Sequence, residues 1–106
     1  MAKDMELTKV TIKDAFWTNM QQLVTDVVIP FQERVLNDEV EGVEKSHAID
    51  NFRIAAGLKE GEFYGMVFQD SDVAKWLEGV AYSLVIKPDA QLEARADAMI
   101  EIVAAA

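Results

Sequence analysis

Cysteine is missing from all 106 residues, and histidine occurs once, at position 47. The first absence excludes a disulfide framework and any thiolate metal ligand, and a lone histidine cannot build a metal site by itself. Basic residues are scarce too, 10 against 19 acidic ones, for a formal net charge of −9. So acidic a chain lacks the basic face that phosphate binding demands, which argues against nucleic acid as a partner. No apolar run approaches the roughly 20 residues that span a bilayer. The opening Met1-Ala2-Lys3-Asp4-Met5-Glu6 also lacks the apolar core of a secretory signal. A soluble, cytoplasmic chain without a membrane partner is expected.

What is present suits one domain or a piece of one. Hydrophobic residues make up 51% of the chain, enough for a core. A chain this short still buries only about two thirds of the surface it exposes when unfolded. Leu7 to Lys13 alternates apolar and polar side chains, which predicts a short strand with no clear partner later in the sequence. Asp14 then opens a helix in which Phe16, Met20, Leu23, Val24, Val27, Phe31, Val35 and Leu36 keep helical spacing. Pro30 interrupts it and should kink or break it near Val28-Ile29. Residues 37–45 read as an acidic exposed loop.

A second helix fits Ser46 to Ala56, with Ser46 as its cap, Ala48, Phe52 and Ala55 on one face, and Gly57 as its left-handed stop. A third starts near Asp70, carries Val73, Trp76, Leu77, Val80, Ala81 and Leu84 on its apolar face, and must end by Ile86 because Pro88 disfavours helical geometry in Lys87. Asp89 caps a fourth helix with Leu92, Ala96, Met99 and Val103 as its apolar stripe. It reaches Ala104-Ala105-Ala106 without a stop signal. The last two helices, joined by a short Pro-Asp turn, should form an antiparallel hairpin. The expected fold is all-α with a short N-terminal strand. The apolar faces of the first and last helices have too few partners to be covered.

The most informative stretch is Phe63 to Glu78. Gly61 and Gly65 bracket its aromatic and β-branched first half. In the second half Asp70 or Ser71 is expected to cap the helix, and Asp72 places a negative charge in the first turn. Lys75 can pair with Asp72 or Glu78, or serve a carboxylate elsewhere. Two carboxylates, a hydroxyl and an amide at one helix start exceed what a cap requires. No nucleophile–base motif, phosphate loop or metal pattern accompanies them. A glycosidase-like pair among Asp70, Asp72 and Glu78 arises readily by chance on so acidic a chain. Trp17 and Trp76 sit on apolar stripes and read as core rather than as platforms for a sugar.

Five groups of residues carry a closer resemblance. They are Phe16-Trp17; Ile29-Pro30-Phe31-Gln32; Asn51-Phe52 with Ala55-Ala56-Gly57; Gly65 to Val73 with Lys75-Trp76-Leu77-Glu78; and Pro88-Asp89 with Leu92. In this order they resemble the start of glycoside hydrolase family 127, whose characterised members are β-L-arabinofuranosidases. Asp70-Ser71-Asp72-Val73 with Lys75-Trp76-Leu77-Glu78 is the most specific part, since capping explains only its first three letters. The resemblance implies an (α/α)6 helical barrel followed by β-sandwich domains. It implies release of L-arabinofuranose from non-reducing ends with retention, by a zinc-bound cysteine nucleophile and a glutamate acid/base. None of those groups falls on a residue of this chain. Residues 1–106 would then be the N-terminal segment of the barrel, incomplete by itself and binding no zinc, with zinc expected in the full-length enzyme. Its partners would be an arabinofuranose-containing oligosaccharide and the remainder of the enzyme chain.

The resemblance puts Gln69, Asp70 and Asp72 at the edge of the sugar pocket, where free N–H groups of the helix start suit hydroxyls. His47 and the loop before it would reach the same pocket. Against this stand plainer roles: the Gln69–Asp72 stretch fixing the approach to the helix, and His47 as a surface or capping residue. A different class of function, a stand-alone acidic helical interaction module without catalysis, is the alternative for the whole chain.

Overall fold

Asp14 begins the first helix as its position predicts. In the computed structural model, which describes residues 6–106, its carboxylate accepts the Trp17 N–H at 3.1 Å and opens α1 (Ala15–Leu23). Pro30 then makes itself felt one turn early. Its missing N–H and its ring are incompatible with a regular helix interior. The chain answers with a π turn, Val24–Val28, in which the Ile29 N–H reaches back five residues to the Val24 carbonyl. Backbone angles stay helical through Ile29, so the chain neither breaks nor loses direction before α2 (Ile29–Leu36). Thr25, inside the π turn, bonds the Gln21 carbonyl at 3.0 Å and meets Ser83 Oγ at 2.9 Å.

The expected N-terminal strand is not there. Leu7–Lys9 forms a single 3-10 turn, and no strand occurs among the described residues. Alternating side chains favour a strand only where a neighbouring strand can take the backbone bonds. Here none is present, and the segment lies along the end of the helix that starts at Asp70 instead.

Helix α3 (Ala48–Ala55) is shorter than Ser46–Ala56, because His47 takes a left-handed conformation at φ 56° and sets the start. Ser46 Oγ nevertheless accepts the Ala48 N–H at 3.3 Å. At the other end Gly57, at φ 73°, allows the Leu58 N–H to bond Arg53 O and its own N–H to bond Ile54 O. That pair of bonds is the Schellman stop, and a side chain at Gly57 would strain it.

Helix α4 (Asp70–Ile86) is not capped by Asp70 or Ser71. A 3-10 turn, Val67–Gln69, runs directly into it and carries the helix start back to Met66. The side chain that serves this start is Gln69, whose Oε1 accepts the Met66 N–H at 2.8 Å. Ser71 Oγ donates to the Phe68 carbonyl at 2.7 Å instead of accepting. Asp89 does cap α5 (Ala90–Ala105), taking the N–H groups of Gln91 and Leu92 at 3.0 and 3.1 Å. The three residues between α4 and α5 turn the chain back into the expected hairpin.

Helix α4 is the centre of the packing and touches α2, α3 and α5. Val73, Trp76 and Val80 meet Ile29 and Leu36 from α2, Ala48 and Ile49 from α3, and Leu92, Ala96 and Met99 from α5. Trp76 is 6% exposed and its indole N–H donates to the Ile29 carbonyl at 3.1 Å, tying α4 to α2. Trp17, expected in the core, is 57% exposed and only edge-packed on Phe16. Phe16, Met20, Leu23, Val24, Val27 and Phe31 are exposed beside it, so the first helix leaves an uncovered apolar face, as its lack of partners predicts. The last helix does not: Leu92 and Met99 are buried and Val103 is partly buried on the same core, because α3 and α4 together cover the stripe of α5.

Asp50 ties α3 to the turn after it. Its carboxylate bonds Arg53 Nη1 at 2.8 Å and the Lys59 ammonium, and Arg53 reaches on to Asn37 Oδ1. The Lys59 bond is the chief reason its carboxyl titrates below the ordinary value; burial opposes it and Arg53 adds to it.

Replacing Trp76 with phenylalanine removes the indole N–H and leaves the buried Ile29 carbonyl without that donor. A loss of about 2 kcal/mol is expected from urea denaturation. Asp50 gives a pH-dependent test. Its folded pKa is depressed, so its stabilisation is complete above the unfolded value, about 3.9, and is lost as pH falls through the folded value. Asp50→Asn should cost about 1 kcal/mol at pH 7. The difference from the parent should close in acid, which thermal melts across pH would show.

Candidate functional site

An open groove of about 760 Å³ runs between α2, the loop before α3 and the first turns of α4. Its floor is apolar: Val28, Ile29, Leu36 and the flank of Trp76. Its polar groups come from three elements, Gln32 on α2, Glu44 to Ser46 on the loop, and Gln69, Asp72 and Lys75 at the head of α4. Apolar walls with a few polar groups converging from separate elements are the usual anatomy of a small-molecule site. The 3-10 turn that displaces the expected cap is what brings Gln69 and Asp72 to the same side, three residues apart.

Their chemistry is complementary. Gln69 has its carboxamide oxygen committed to the Met66 N–H, which leaves Nε2 as a pair of donors. Asp72 offers acceptors, and its nearest cation is Lys75, at 3.6 Å with both side chains well exposed. So loose a pair contributes only a few tenths of a kcal/mol. Asp72 and Lys75 are both free to rearrange around a ligand.

Of the four residues singled out in the sequence, Gln69 and Asp72 line the groove and His47 and Asp70 do not. Asp70 is exposed in the first turn of α4, where its charge complements the helix dipole. His47 stands one residue beyond the lining residue Ser46. Its N–H donates to both oxygens of Asp38, at 3.0 and 3.1 Å, and its ring lies on Tyr64 with centroids 4.3 Å apart. Lys75 takes the Asp72 partner of the two open on its own helix, while Glu78 bonds the Tyr82 hydroxyl and raises its pKa.

Asn51 and Gly65 enter the sequence reading only as part of the resemblance, without the structural parts they play beside the groove. Asn51 is 8% exposed, and its amide takes both backbone groups of Tyr64: the Tyr64 N–H at 3.0 Å and the Tyr64 carbonyl at 2.8 Å. A polar residue on the inner face of a short helix is the available signal, because a buried amide must find partners.

Asp38, His47 and Asp50 bring ligand atoms within 4.8 Å of one another. The donor set does not suit a thiolate-bound zinc. Its carboxylates are also already spent, Asp50 on Arg53 and Lys59, Asp38 on the His47 N–H. These bonds tie the loop at Asp38 and the turn at Lys59 to the start of α3.

Comparison with known proteins points one way. A family model described as β-L-arabinofuranosidase, GH127 catalytic domain, matches residues 9–106. The chain is 42% identical over 109 residues to the non-reducing end β-L-arabinofuranosidase of Bifidobacterium longum subsp. longum. That alignment covers 92% of this chain and 17% of the relative. The fold is similar to the crystal structure of a GH127 β-L-arabinofuranosidase from Geobacillus stearothermophilus T6, with a TM-score of 0.89 and 57% identity. There 92% of this chain and 15% of the other are covered. The chain thus spans less than a fifth of the length of either relative. With nearly every described residue inside the matched region, the chain belongs to the GH127 β-L-arabinofuranosidase family.

Proposed function

We propose that this chain is the opening segment, residues 1–106, of the (α/α)6-barrel catalytic domain of a cytoplasmic β-L-arabinofuranosidase. The whole enzyme would release L-arabinofuranose from the non-reducing ends of arabinofuranose-containing oligosaccharides with retention of configuration. The observation that carries this is the family match across residues 9–106 together with a groove of the right chemistry within it. A furanose presents hydroxyls and a ring oxygen, so its site needs donors and acceptors side by side. Gln69 and Asp72 supply them at the groove edge.

The chemical step is assigned elsewhere in the enzyme. A zinc-bound thiolate nucleophile needs cysteine, and none of the 106 residues is one. The Asp38–His47–Asp50 trio holds no thiolate, and its carboxylates already accept hydrogen bonds from His47, Arg53 and Lys59. What these residues contribute is a wall that binds and orients the sugar and excludes water over an apolar floor. The uncovered face of α1 and of the π turn after it, with Phe16, Trp17, Met20 and Val27, is the surface on which the rest of the barrel would pack.

In the full-length enzyme Asp72→Ala should raise KM for p-nitrophenyl β-L-arabinofuranoside about tenfold with a smaller change in kcat. An unchanged KM would remove Asp72 from the pocket. Dialysed free of added metal, the separate 106-residue chain should retain no stoichiometric zinc and hydrolyse none of this substrate.

The same separate chain should self-associate or bind dyes that report exposed apolar surface. A monodisperse monomer by light scattering, with cooperative unfolding and no dye binding, would favour the acidic interaction module instead.

A further inference from the structure

We infer that Asn51 is a positioning residue: through the backbone of Tyr64 to Met66 it holds the Gln69 carboxamide so that Nε2, not Oε1, is offered to the sugar. The inference rests on the groove being part of the sugar pocket.

Residues 58–68 are exposed and carry little regular structure until the 3-10 turn at Val67. Such a segment has few bonds of its own to fix it. Asn51 supplies them from the buried side. Its Oδ1 accepts the Tyr64 N–H at 3.0 Å and its Nδ2 donates to the Tyr64 carbonyl at 2.8 Å, so one side chain plays the part of a neighbouring strand. Because Asn51 stands on α3 among core residues, this clasp ties the segment to the rigid body of the molecule. The Tyr64 ring adds a second hold by lying on His47, whose own N–H is fixed by Asp38.

Two residues further on, the constraint reaches the groove. Met66 donates its N–H to Gln69 Oε1 at 2.8 Å. Gly65, at φ 96°, leaves the space that the carboxamide fills. A Cβ at Gly65 would lie 1.9 Å from Gln69 Oε1 and 3.0 Å from Cδ. The amide of Gln69 is thus seated in the volume of a missing side chain and held there by one bond. Its oxygen is spent, and among the described residues Nε2 has no protein acceptor. A group so placed donates and does not accept, so it selects an acceptor lone pair on the ligand: a ring oxygen or a hydroxyl oxygen. Asp72, on the same rim, accepts and does not donate. The order of the two groups along the groove would set which oxygens of the sugar face which side, provided that Gln69 cannot turn over. Asn51 is what prevents the turn, since release of Tyr64 would free Met66 and with it the only bond on Oε1.

The test uses the full-length enzyme and four variants: Asn51→Ala, Asn51→Asp, Gln69→Ala and the Asn51→Ala/Gln69→Ala double. Hydrogen exchange is followed in the peptide covering residues 63–69, with a peptide from α5 as the control for global unfolding. Asn51→Ala should speed exchange in 63–69 about tenfold while α5 stays protected. It should raise KM for p-nitrophenyl β-L-arabinofuranoside about as much as Gln69→Ala does. The double variant should be no worse than Gln69→Ala alone, because Asn51 acts only through Gln69. Unchanged exchange in 63–69, or KM effects that multiply in the double, overturns the inference. If α5 also loses protection in Asn51→Ala, Asn51→Asp, which keeps the acceptor but not the donor, is judged by the same two criteria. A parental KM in Gln69→Ala, with exchange in 63–69 still raised by Asn51→Ala, instead shows that the pocket assignment was at fault, and the inference falls with it.

Discussion

The bond from the Trp76 indole to the Ile29 carbonyl, 3.1 Å long and buried, is the constraint on which the other contacts depend. It fixes the rotation of α4 against α2 at the point where Pro30 has already disturbed the helix. A rigid rotation of α4 would move Val73 and Val80 away from α3 and α5 together with Trp76, since all three share one face. The same rotation would carry Asp72 and Lys75 out of the groove, because they lie on the adjoining face of the same first turns. One donor therefore sets both the core and the polar rim. The indole suits this position because its ring fills the space between helices while its N–H satisfies an acceptor that burial cuts off from water.

Much of this is legible in the amino-acid order. Asp14, Asp89 and Gly57 mark helix ends by local chemistry, and each makes the expected bonds. Val73, Trp76 and Val80, and Leu92, Ala96 and Met99, fall on buried faces because helical spacing decides which side chains meet a neighbour. Local rules fail where non-local groups compete. Asp70 and Ser71 are better caps than Gln69 by preference, yet the 3-10 turn moves the helix start back to Met66. The alternation from Leu7 to Lys13 is a real strand pattern, but a strand exists only when another is available. The part played by Asn51 is not legible from its own helix, because its partner, the backbone of Tyr64, is 13 residues away. The fully buried Ile49 of α3 is also missing from the spacing-based face of its helix, and Ala55 of that face is exposed, because α3 packs against both α4 and α5 and buries a side turned toward Ile49 and Asn51.

The proline and the groove are linked by the π turn. A π turn widens the helix and rotates the turns after it by the angle of one extra residue. Val24 and Val28, at the two ends of that turn, line the groove, while Val27 between them belongs to the uncovered apolar face. Val24 and Val28 would share a face in a regular helix as well; what the π turn changes is the rotation of α2 behind it, which carries Ile29, Gln32, Val35 and Leu36 of the groove wall.

This arrangement also explains why the groove is open. On the α4 and loop sides Gln69 and Ser46 are each placed by a bond to a neighbouring backbone N–H, and Asp72 stands beside them in the first turn of α4. On the α2 side the wall continues into exposed Val24, Val27 and Phe31, which no described residue covers. Apolar surface of that kind gains roughly 25 cal/mol for each Å² removed from water. Polypeptide packed on α1 and α2 would therefore bury this face and close the groove in the same movement. Stability and binding are then not separate demands on the first helix. The apolar face it leaves uncovered is the continuation of the groove's own α2 wall.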